Sequence, residues 1–178
     1  MHRVGLFIAA LLFASCAGSK QTPRADSNQK SSRTVVASGM ISRDSAIAIM
    51  RRLETDPLAA GATMDRQYAF EWLASSDEMK GIAIDGRYLQ PLEESDYPFA
   101  GELLMQFAFG MALHRLSAES AASDHASDVE AGLRSVIATY RNMVQLDVNL
   151  SDKFLDDLDE IRRLGRLRAY IEKVDENG

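Results

Sequence analysis

The sequence predicts an all-α protein, a single compact bundle of about five helices. Three observations lead there. Every long segment with a repeating apolar pattern has the spacing of a helix, near 3.6 residues. Helix-start signals, Ser42 and the pair Ser127-x-x-Glu130, stand ahead of two of these segments. Pro57 and Pro98 fall at segment edges, where a helix tolerates them.

The first predicted helix is capped by Ser42, carries Ala46, Ile47, Met50 and Leu53 on one face, and ends before Pro57. A second starts at Thr63, with Met64, Tyr68, Trp72 and Leu73 on one side. The single tryptophan, Trp72, is expected in the core. Next, IAI-DG-RYL over 82–89 sets Asp85-Gly86 between two short apolar runs. That is the signal of a short β-hairpin, although an irregular loop fits as well. Pro98 suits the first turn of a long helix running to about Leu116. From Ser127 the residues Val129, Leu133, Val136, Ile137, Tyr140 and Val144 make an apolar stripe. A last helix starts near Ser151, with Phe154, Leu155, Leu158, Ile161 and Leu164 as its apolar set.

Ahead of this domain lies a different kind of sequence. Arg3 gives a positive start, and Val4 to Phe13 is an apolar run far shorter than the ~20 residues of a spanning helix. Small residues follow. This is the pattern of an export signal. Its end, Phe13-Ala14-Ser15-Cys16, resembles the lipobox of bacterial lipoproteins, although Phe13 replaces the usual leucine. Ordinary cleavage after Ala17 is the alternative. The resemblance implies a signal peptide over 1–15, lipid modification (palmitate among the chains) at Cys16, and attachment to a bacterial cell envelope. Ala17 in place of aspartate suggests the outer membrane. Cys16 is the only cysteine, so it has no disulfide partner within the chain. Residues 16–41 then form a polar tether whose composition cannot repay the entropy of ordering.

Charge separates tether from domain. Five of the 20 cations and one of the 26 acids precede Ser42, which leaves 15 against 25 and a net charge of −10 over 42–178. A nucleic-acid binder needs the opposite footprint, so no nucleic-acid partner is expected.

The stretch Val136 to Asn149, VIATYRNMVQLDVN, resembles the second helix of a tetratricopeptide repeat with its closing turn. With Tyr140 at the aromatic position, the 34-residue period puts Phe154, Ile161 and Gly165 on large-apolar, apolar and glycine positions of the next repeat. Phe109-Gly110 can serve as the preceding Leu-Gly pair across an insertion. Val148 stands where the motif has proline. The resemblance, over about 107–170, implies repeat-like helical pairing; plain bundle packing produces most of the same apolar positions.

Chemical motifs are sparse. Asp147-x-Asn149-x-Ser151 imitates the start of a calcium loop, but Asp152 replaces the glycine and Leu158 the bidentate glutamate, so no metal is expected. Arg162, Arg163, Arg166 and Arg168 follow the acids Asp152, Asp156 and Asp157, with Asp159–Arg163 as an i,i+4 pair. They describe a solvated charged face more than an anion site. The mature chain offers His114 and His125, no HExxH, no Gly-rich phosphate loop and no free cysteine nucleophile. The adjacent acids Glu93-Glu94 fit a solvated loop better than acid–base work. No cofactor or catalytic residue is assigned.

The helix from Pro98 is apolar nearly all round, as a central helix should be. Its polar members Glu102, Gln106 and His114, with Gly110, recur every four residues and wind gently along one stripe. That stripe is either the helix's exposed edge or one wall of a ligand pocket with Gly110 leaving the room. The expected function is a lipid-anchored extracytoplasmic helical module that binds an envelope protein or acts as a scaffold there. The alternative is a periplasmic small-ligand binder or hydrolase with a pocket beside Glu102 and His114.

Overall fold

A computed structural model describes residues 41–80, 82–117 and 124–177. Residues 1–40, which hold the expected signal segment, Phe13-Ala14-Ser15-Cys16 and nearly all of the expected tether, lie outside the described residues.

Ser42 caps α1 (Arg43–Thr55) as expected: its Oγ accepts the Ser45 N–H at 3.2 Å. Ala46, Met50 and Leu53 are buried along it. In α2 (Ala62–Ser75) Trp72 and Leu73 are buried, but the remaining inward positions are Ala62, Arg66 and Ala69. Met64 is exposed and Tyr68 only half-buried, which corrects the predicted face. The side chain turned inward is Arg66, whose Nη2 donates to the Pro57 carbonyl at 2.6 Å. A buried polar head with a bonded terminus is tolerated, and its aliphatic stem packs.

The hairpin does not form; no strand exists among the described residues. Asp85 instead caps a 3-10 turn, Gly86–Leu89, by accepting the Arg87 N–H at 3.0 Å. Tyr88 and Leu89 are both buried, as neighbours in a strand with one solvated face could not be. The Tyr88 hydroxyl donates to Asp175 at 2.6 Å, and burial together with that carboxylate pushes the phenol up to about 12. One further turn, α3 (Gln90–Glu93), precedes the long helices.

The central helix α4 (Ala100–Ser117) starts two residues after Pro98. α5 (His125–Leu146) starts one turn before Ser127, because Asp124 takes the capping role and accepts the Ser127 N–H at 2.7 Å. Ser127-x-x-Glu130 is therefore not the cap, and Glu130 holds Arg134 at 2.6 Å. Beyond α5, Asp147 accepts the Asn149 N–H at 2.9 Å and caps a 3-10 turn, Val148–Leu150. The calcium-like stretch is thus a turn. The last predicted helix is two, α6 (Lys153–Arg163) and α7 (Leu167–Asn177), divided at Gly165 with φ +67°. Leu164, expected in the core, is exposed at that division. The break falls on the glycine that the repeat resemblance singled out.

Two apolar clusters share α4. Its Leu103, Phe107 and Met111 pack with Tyr88, Leu92, α5, α6 and α7. Its Ala108, Phe109 and Ala112 pack with Met50 and Leu53 of α1 and Trp72 of α2. A helix that serves two clusters needs apolar residues on both sides, which accounts for its unusual composition.

Candidate functional site

Along its middle the polar stripe of α4 is no exposed edge: Gln106 and Gly110 are buried, while Glu102 and His114 at its two ends are half-buried. It is the seam along which α4 meets α5 and its neighbours. Gln106 is 2 % exposed, and its Nε2 donates to the Ser135 Oγ at 2.9 Å. Ser135 in turn donates to the Glu54 carboxylate of α1. Asn142 of α5 donates to the Glu54 main-chain carbonyl at 2.8 Å. Three helices are thereby joined through one buried amide and one carboxylate.

Gly110 leaves no room for a ligand, since the α5 backbone occupies it. A Cβ built there would lie 2.5 Å from Ser135 Cβ and 2.9 Å from Gly132 Cα. Gly132 meets α4 in the same way: a Cβ built there would lie 2.8 Å from the Phe107 carbonyl oxygen. Paired glycines allow two helix backbones to approach closely, much as small residues do in membrane helix pairs. Glu102, half-buried at the start of the stripe, offsets the loss of hydration at Arg66. Burial lowers the Arg66 pKa, while the Glu102 and Asp65 charges oppose that.

At the other end, His114 Nδ1 lies 2.9 Å from Asp128 Oδ1, and Arg115 Nη2 donates to Asp128 Oδ2. Asp128 is fully buried in the first turn of α5. A carboxylate in that place is favoured by the helix N-terminus and by two cationic or donor groups. Its residue type and buried state were not singled out in the sequence. The available signal was an acid at the start of a capped helix, which more often points outward.

Among the surface clefts, one of about 320 Å³ lies between α7 and the turn around α3, lined by Arg87, Gln90, Pro91, Tyr170, Lys173 and Val174. A second, of about 150 Å³, lies between α5 and α6 and is lined by Arg134, Ile137, Ala138, Arg141 and Arg162. The four stripe residues line neither. Sequence reading grouped Arg162 with Arg163, Arg166 and Arg168, but these do not act together: Arg163 pairs with Glu160 at 3.0 Å, and Arg168 with Asp124, the cap of α5, at 3.3 Å. Asp159 pairs with Arg162, not Arg163. No group of three or more His, Cys, Asp or Glu side chains able to hold a metal occurs among the described residues. No family model, curated protein or solved structure matches this chain.

Proposed function

We propose that the chain is a lipid-anchored module of a bacterial cell envelope, its helical domain binding another envelope protein or serving as a scaffold. The observation that carries this reading is Cys16 in its setting, a short apolar run closed by Phe13-Ala14-Ser15 and followed by polar chain. Two or more acyl chains hold firmly where one holds marginally, so such an anchor needs no spanning helix. The domain supports the reading in a second way. Its long central helix is spent on packing, and its polar stripe is consumed by helix–helix contacts. Recognition then falls to the outer surface. There Leu146 and Val148, 64 % and 70 % exposed, sit two residues apart at the turn after α5. The break at Gly165 is compatible with tetratricopeptide-like pairing of α5, α6 and α7, a common scaffold for protein binding.

Cell fractionation tests the anchor. The wild-type chain should partition with membranes and Cys16→Ser should not. A Cys16→Ser chain that is processed normally and still pellets with membranes would overturn the reading.

A further inference from the structure

We propose that Arg134, Arg141 and Arg162 form a binding site for a single phosphate group, inorganic or carried by an anionic phospholipid headgroup. The site follows from the register of two helices. Arg134 and Arg141 are seven residues apart on α5, nearly two full turns, so they share a face. α6 brings Arg162 to the same cleft, over a floor of Ile137 and Ala138.

The flanking acids fix the arginines without exhausting them. Glu130 Oε1 accepts from Arg134 Nε at 3.1 Å and Nη2 at 2.6 Å. Asp159 Oδ1 accepts from Arg162 Nε at 2.7 Å, while its Oδ2 stays 3.9 Å from Arg141 Nε. The Nη groups of Arg141 and Arg162 have no hydrogen-bond partner among the described residues. Three guanidiniums face two carboxylates, so one positive charge remains. The arrangement stands on a domain that is otherwise strongly acidic.

Size narrows the ligand. A cleft of about 150 Å³ is half the lower bound of roughly 300 Å³ for sites that enclose whole organic molecules. It suits one compact anionic group. Guanidiniums from two helices lining one cleft match the tetrahedral oxygens of phosphate better than one planar carboxylate, and such pairs are charge-assisted and directional. This inference does not rest on the anchoring reading.

The test uses the full chain carrying Cys16→Ser, so that acylation cannot supply membrane binding. Inorganic phosphate is titrated while the arginine Nε–Hε NMR signals are followed. Saturable shifts at Arg141 and Arg162 are expected. Arg141→Gln should weaken binding about tenfold or more, as loss of a charge-assisted contact does. Arg163→Gln removes the same charge outside the cleft and should leave binding nearly unchanged. In a second arm the same chains are sedimented with phosphatidylcholine vesicles with or without phosphatidylglycerol. Binding to the anionic vesicles that Arg141→Gln loses and Arg163→Gln keeps assigns the phosphate to a lipid; a response to inorganic phosphate alone assigns it to the free ion. No saturable response in either arm, or equal losses from the two variants, would overturn the proposal.

Discussion

Gly110 shows how one residue decides what a surface can do. Its hydrogen lets α4 touch the α5 backbone, and a methyl there would meet Gly132 Cα and the Ala131 carbonyl at 3.0 Å or less. Backbone cannot swing aside as a flexible side chain can. Gly110→Ala should therefore cost about 1–3 kcal/mol, the usual range for forced overpacking, read by urea denaturation. A loss within experimental error would mean the helices are further apart than described. Asp124 governs a different variable, pH. Its hydrogen bonds from Ser127, with help from Arg168, hold its pKa down to about 2, against about 3.9 for a free aspartate. A depressed folded pKa stabilises above the unfolded value and loses that contribution as pH falls. The window is therefore about pH 4 down to pH 2. Asn can cap a helix without titrating, so Asp124→Asn should show a shallower loss of stability across that window. An unchanged acid limb would show that the cap charge contributes nothing.

At the level of the element, boundaries are set by competition between signals. Asp124 and Ser127 are both good caps; the earlier one wins because it adds a turn to α5 and also meets Arg168 of α7. The division of α6 from α7 rests on Gly165, whose φ of +67° a side chain resists. Nothing lies within 4 Å of a Cβ built there, so the backbone alone opposes substitution. Gly165→Ala should cost about 1–2 kcal/mol, the penalty of a left-handed conformation for an L-residue, read by thermal or urea denaturation. If it costs nothing, the turn has another conformation. The repeat resemblance marked this glycine, whereas apolar spacing gave a last helix with positions up to Leu164 and no separate α7.

For the domain as a whole, α4 is the shared wall of two cores. Phe107 belongs to one and Phe109 to the other, and both are buried. Separate clusters joined by one buried helix should not melt separately, because neither keeps its wall when the other is lost. Trp72 fluorescence reports the α1–α2 cluster and far-ultraviolet circular dichroism reports all the helices. The two probes should give coincident urea transitions, the signature of two-state unfolding. Two separated midpoints would show that α1 and α2 open on their own.

Helical class, the burial of Trp72, the cap at Ser42 and the central place of α4 were legible in the chain itself. Local spacing and capping chemistry determine such features, and both are written in consecutive residues. The face that Arg66 rather than Met64 turns inward, the failure of the 82–89 hairpin, and the fate of the Glu102–His114 stripe were not legible. Each depends on a partner far along the chain: Glu102 beside Arg66, Asp175 and Tyr170 against Tyr88, Ser135 and Asp128 against α4. The arginine cleft belongs with these, since Arg162 joins Arg134 and Arg141 only when α6 folds back on α5. A polar stripe looks the same on a helix whether water or another helix covers it. The sequence sets the stripe's period, and only packing settles what lies against it.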